Sequence, residues 1–371
     1  MTTLAEPDLP RATDGDIAAI NLQSARRSAW ARFAQDPRLP GVVEAVVDQE
    51  RLAAQFLGNL DALDRLDTLA SQFSRVDDSF RPSLVHAEVA STAHRFHDAR
   101  DHVARAVLMG APREAIERHT LTIDQACGVA LDAVLAARRR IATASDRLED
   151  LMPLGSVLAD LEHFAEADAV YRQAFYSYDD VSPFPLAWVC FQLGMLWGEL
   201  VPLPDPDLAA LWYRRAIAYL PGYVKARVHL AEVCASQDQT GQAEALLRPA
   251  LPSRDPEVRW RLADVLIAQD RFEEAEMELH AARSGFEELL EGHLLAFADH
   301  AAEFYAGSGN DCRRALELAR ANVANRPTRR AINKAQSIAS KADTRSRPPG
   351  PTPSAADCFL APEVAISGEK R

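Results

Sequence analysis

Apolar residues recur at three- and four-residue spacing along nearly the whole chain, on a background rich in Ala, Leu, Arg and Glu. Alternating Val/Ile/Thr runs are scarce, so the period predicts a succession of helices and calls for no strand. The pattern stops at both ends. Residues 1–15 (MTTLAEPDLPRATDG) and about 342–371, which include RSRPPGPTPSAAD, are rich in proline and small polar residues and are expected to be flexible tails, with a terminal helix end from about residue 336. The longest uncharged run, Val181 to Gly198, is cut by Pro183 and Pro185. What remains is about thirteen residues against the roughly twenty that span a bilayer, so it reads as a buried helix.

Inside the helical span, small and bulky residues return at fixed offsets. Leu154, Gly155 and Leu158 are followed by Ala167, Tyr171 and Ala174; Leu193, Gly194 and Trp197 by Ala209, Tyr213, Ala216 and Pro221, with about three extra residues at VPLPDPD. Leu230, Ala231 and Cys234 precede Ala243, Leu247 and Ala250, and Leu262, Ala263 and Leu266 precede Ala275, Leu279 and Ala282. A fifth, weaker unit ends in Ala315, Ala319 and Pro327, and its first helix, HLLAFADHAAEFYAGSG, has no Leu-Gly pair. Fainter skeletons lie upstream at Ala87, Ala99, Val103, Ala106 and Pro112, and at Leu121, Ala133 and Ala137.

This pattern resembles the tetratricopeptide repeat, a helical hairpin of about 34 residues. The resemblance implies an all-α chain, a right-handed α-solenoid of tetratricopeptide-like hairpins. The repeats are expected over 148–335, with the resemblance specific over 148–285 and fainter over 290–335; it is degenerate over 80–147 and weak over 16–79, where a divergent hairpin or cap is expected. Paired helices must approach within roughly 8 to 10 Å, which explains glycine and alanine at the contact. Tyr171, Tyr213, Leu247 and Leu279 are expected to fill the space between one hairpin and the next, and Pro221 and Pro327 to stop second helices.

In that family the first helices line a concave groove that takes an extended or helical peptide. Carried over by position, one row of the groove is Met152, Phe191, Val228, Trp260 and His300, with Leu84 upstream. The next is Ser156, Met195, Glu232, Asp264 and Phe304, with Glu88 upstream; Trp188 and Glu257 flank the rows. The competing reading makes the same residues core beneath neighbouring helices. As a groove, the rows imply a protein or peptide partner with apolar anchors and some Lys or Arg. Clamps for the acidic tails of heat-shock proteins carry Lys, Asn and Arg on these rows. Apart from Lys225 the matching residues here are apolar or acidic, which disfavours that role.

Charge narrows the partners further. A formal net charge of −13 argues against nucleic acid or an anionic membrane as the main partner. No apolar run of signal-peptide length opens the chain, so a cytoplasmic location is the default expectation. The five cysteines, Cys127, Cys190, Cys234, Cys312 and Cys358, are odd in number and form no CxxC pair, suggesting neither disulfides nor zinc. Half of the ten histidines lie between His86 and His119; His94, His97, Asp98, Asp101 and His102 invite a metal, but the spacing fits no zinc motif and a solvated turn is favoured. No GxSxG, P-loop, HExxH or GxGxxG run is present, so no enzyme activity and no cofactor are expected. Arg313, Arg314, Arg320, Arg326, Arg329, Arg330 and Lys334 form a basic stretch without interleaved aromatics, read as a polar cap before an RNA contact. The leading reading is therefore a non-catalytic scaffold or adaptor. Its rivals are an enzyme or metal-handling protein with a site in the first 145 residues, and a nucleic-acid-linked regulator using the basic end.

Overall fold

The computed structural model describes residues 9–346, with side chains described to residue 341. The expected tails over 1–8 and 347–371, Cys358 among them, lie outside the described residues. Seventeen helices and no strand occur among the described residues. They run α1 (Gly15–Gln35), α2 (Val42–Leu57), α3 (Ala62–Phe73), α4 (Arg81–Thr92), α5 (Phe96–Leu108), α6 (Arg113–Ala126), α7 (Leu131–Ser145), α8 (Leu148–Asp160) and α9 (Phe164–Tyr176). There follow α10 (Pro183–Met195), α11 (Pro206–Tyr219), α12 (Val224–Ser236), α13 (Thr240–Leu247), α14 (Pro256–Ala268), α15 (Phe272–Ala306), α16 (Cys312–Asn325) and α17 (Arg329–Ser346). None is long and apolar enough to cross a membrane.

Consecutive helices pair as antiparallel hairpins, and the turn inside each has a recurring cause. After α4, α6, α8, α12 and α14 one residue, in turn His94, Gly128, Glu162, Asp238 and Asp270, adopts the left-handed conformation. The next residue's N–H then donates back to the carbonyl five positions earlier at 2.7–2.9 Å, closing the helix end. His94, Gly128 and Glu162 stand 34 residues apart, so the faint upstream units are hairpins in register with the clear ones. The extra residues at VPLPDPD are absorbed by a π-turn, Leu196–Leu200, after which Asp205 caps α11 by accepting from the Leu208 N–H at 2.9 Å.

The expected helix contacts are very close. A Cβ on Gly155 would lie 2.4 Å from the Tyr171 ring, and one on Gly194 would lie 2.4 Å from the Tyr213 ring. Both tyrosines thus pack on the glycine of their own hairpin rather than only between hairpins. Ala167, Ala209, Ala243 and Ala275 are buried at the same interfaces. The fourth and fifth units differ from expectation in sharing one helix. α15 runs 35 residues, and a single non-helical residue, His293 (φ −138°, ψ 52°), marks where one hairpin passes into the next.

The N-terminal end folds back onto the middle of the array. The Thr13 N–H donates to the Val181 carbonyl at 2.8 Å, and the Tyr219 hydroxyl donates to the Pro10 carbonyl at 2.8 Å. Residues 9–14 are therefore fastened across the α10 and α11 hairpin, contrary to the expectation of a loose tail. Further along, Gly58 lies against Ser253 and Val224, and Asp64 pairs with His293 at 3.0 Å.

Replacing Gly194 by Leu should overpack its contact with Tyr213 and cost about 1–3 kcal/mol, read from urea unfolding. Gly241→Ala, in a helix position with nothing within 4 Å, should be neutral or stabilise by up to about 1 kcal/mol. Equal effects at the two sites would refute the close-contact assignment.

Candidate functional site

The first helices of the hairpins, α8, α10, α12, α14 and the second half of α15, carry the residues of the two expected rows. The structure divides the expected residues. Met152, Val228 and Trp260 are only 1%, 0% and 4% exposed, so these three are core and not groove. The reason is visible at Trp260: the second half of α15 covers it, Phe304 and Phe286 meet its ring edge to face, and its indole N–H donates to Ser308 Oγ at 3.2 Å. Phe304 and Glu257 are buried as well. Trp188, Phe191, Met195, Glu232 and Asp264 remain partly exposed.

On α10 the partly exposed residues form one stripe, Trp188, Phe191 and Met195, at helical spacing. One turn further the stripe ends in Glu199. Glu199 accepts from His229 of α12 at 2.8 Å, and His229 also lies 3.4 Å from Glu232. Arg261 of α14 pairs with Glu232, its guanidinium lying 3.6 Å over the Trp260 ring. Beside this chain, Lys225 is held by Asp255 at 3.2 Å and by Glu257, and His300 lies 3.4 Å from Glu257. The inner face is thus a line of alternating charges rather than a plain apolar trough, and the cation of Lys225 is already spent.

These pairings set the protonation states. Burial alone would lower the His229 pKa, but the hydrogen bond and charge of Glu199, with Glu232 and Glu257, raise it above the usual value. Burial opposes ionisation of Glu257 too, yet Lys225, His300 and His229 hold it well below the carboxylate range. Asp299 is depressed despite burial by His300, Arg326, Lys334 and His94. For His94 burial wins, and with Arg326 nearby its pKa falls to about 4.

Arg313 and Arg320 of the basic stretch stay exposed, while its later cations pair with acids of other hairpins. Arg326 pairs with Asp299, Arg329 with Glu162 at 2.8 Å, Arg330 with Glu199 at 3.0 Å, and Lys334 with Glu303. The corner between α16 and α17 lies across the C-terminal ends of four successive first helices. Asn325 Nδ2 donates to the His94 carbonyl beyond α4 at 2.8 Å, and its own carbonyl faces Cys127 beyond α6. A Cβ on Gly128 would stand 3.4 Å from Thr328 Cα. Arg329 and Arg330 then reach the ends of α8 and α10. Sequence reasoning stopped at two rows and missed Glu199 and Asp160, each one turn beyond the second row on its helix. A count of four residues past Met195 and Ser156 would have found them.

The other candidates gather into nothing. His86 and His102 stack with ring centroids 4.6 Å apart, Ser74 bonds the His86 ring at 2.9 Å, and His119 faces Glu88. No group of three metal-ligating side chains forms among the described residues. Cys190 is buried, which pushes its thiol far up, against any role as a thiolate.

Paired helices, left-handed turns 34 residues apart and glycine-on-tyrosine contacts fix the architecture. It is a tetratricopeptide-like solenoid. No family model matches the chain, and no curated protein does. Among solved structures it is similar to the apo quorum sensor NprR from B. thuringiensis, at 12% identity over 88% of this chain and 95% of that one, TM-score 0.45. A tetratricopeptide repeat protein from Parabacteroides merdae matches at 12% identity over 71% and 99%, TM-score 0.41. BtubC from P. vanneervenii matches at 16% over 65% and 100%, TM-score 0.40. At such identities and scores the likeness says nothing of ligand or activity.

The solenoid's inner histidine gives a pH signature. Because the folded pKa of His229 lies above the value of about 6.5 of an unfolded histidine, its stabilisation is complete below about pH 6.5 and is lost as the pH climbs through the folded value. His229→Gln should therefore cost about 1.5–3 kcal/mol at about pH 6 and clearly less at about pH 9, by urea unfolding at both. A cost that stays level or grows with pH would show that the imidazole is not held as a cation.

Proposed function

We propose that the chain is a non-catalytic scaffold that holds a protein or peptide segment along this face, with apolar anchors on Trp188, Phe191 and Met195 and partner cations that compete with Arg261 and His229 for Glu232 and with Arg261 for Asp264. The observation that carries this reading is the α10 stripe. Three large, partly exposed apolar side chains lead along one helix into a carboxylate, with two more carboxylates on the next first helices. Large apolar residues supply contact area at small ordering cost, and carboxylates select by charge. Met152, Val228 and Trp260 act from below, fixing the helices that present the surface.

A photo-crosslinking phenylalanine analogue at Trp188, compared with one at the outward-facing Met277, tests the reading in native lysate. A discrete adduct should form from position 188 and not from 277. It should weaken about fivefold in a Glu232→Gln/Asp264→Asn variant of similar melting temperature, the size expected for two partly exposed charge pairs. Failure of position 188 to give an adduct above the position 277 background would sink it.

A further inference from the structure

The residues that pair with the end of the α10 stripe belong to the chain itself. Pro327 interrupts the chain after α16, Thr328 Oγ1 caps α17 by accepting from the Ala331 N–H at 3.2 Å, and the corner crosses four hairpins in succession. The segment runs along the turns that close consecutive first helices, on the edge where the α10 stripe ends in Glu199, and it brings donors to those ends. Those ends carry partial negative charge, which favours cations there. Arg329 and Arg330 supply them, adjacent in sequence and aimed at Glu162 and Glu199 on neighbouring hairpins. Asp160, two residues before Glu162 at the end of α8, feels the charge of Arg330 as well.

We propose that the Asn325–Arg330 corner is a built-in occupant of the turn edge at which the α10 stripe ends, and that the cognate partner carries the same chemistry there: a segment with two adjacent basic residues that takes Glu162 and Glu199 from Arg329 and Arg330. The proposal rests on the binding reading above and gives it a partner class. Two observations make the exchange cheap. The two arginine side chains are 72% and 56% exposed, so each pair contributes little, and both guanidinium groups can swing into water without exposing apolar surface. Meanwhile α17 stays anchored by buried Ala331 and Ile338, so no helix has to unpack. Arg326 differs, since its partner Asp299 is well buried, and it belongs to the fixed part of the corner.

The test uses the full chain and a labelled synthetic peptide copying residues 325–340, NRPTRRAINKAQSIAS, as the probe. Fluorescence anisotropy should show the Arg329→Gln/Arg330→Gln variant binding the peptide about fivefold more tightly than the wild type, because the competing cations are gone. Adding Glu199→Gln should remove the gain, and a peptide with both arginines replaced by glutamine should bind all forms alike. A gain in affinity is not imitated by misfolding. Equal binding by wild type and double variant would overturn self-occupancy. No binding by any form would overturn the dibasic partner, while an adduct from position 188 would still stand for the scaffold reading.

Discussion

Carboxylates taken out of water must be met by cations, and much of this fold follows from that demand. Glu257 and Asp255 are buried and Asp299 largely so, where an unpaired charge is expensive, while Glu199 stands more open at the end of the α10 stripe. Each finds its cation on another element: Lys225, His300, Arg326, His229 and Arg330 come from α12, α15, α16 and α17. The hydrophobic contacts stack hairpin on hairpin, and the charges tie neighbouring hairpins to one another. A net charge of −13 does not describe this interior, where both signs alternate.

The hairpins were legible because close packing constrains residue size. Gly155, Gly194 and the alanines opposite them can be read from sequence, since no larger side chain fits beneath Tyr171 and Tyr213. The upstream hairpins were fainter because their turns are made by His94 and Gly128, two residues that share a backbone conformation and no chemistry. The shared helix α15 was hidden for a similar reason: its break at His293 involves neither proline nor a capping residue.

The site was legible in part. Helical periodicity places residues on one side of a helix, and of the expected row residues Trp188, Phe191, Met195, Glu232 and Asp264 stay partly exposed. It does not tell how deep a residue lies, which depends on the neighbouring hairpin; α15 buries Trp260 while Phe191 stays partly open. Nor does it reveal pairs such as Arg330 with Glu199, which sit 131 positions apart and meet only because the array winds back on itself.

That winding changes what kind of object the solenoid is. An open array of repeats has two terminal units, each with one neighbour missing, and such units are where fraying begins. Here the first residues are tied to α10 and α11, α3 reaches α15, and the last corner reaches α4 through α10. Both ends are folded back onto distant hairpins, leaving few places to peel from. Opening near either end must break contacts at a distant hairpin too, so the loss of a terminal unit should be felt far along the chain.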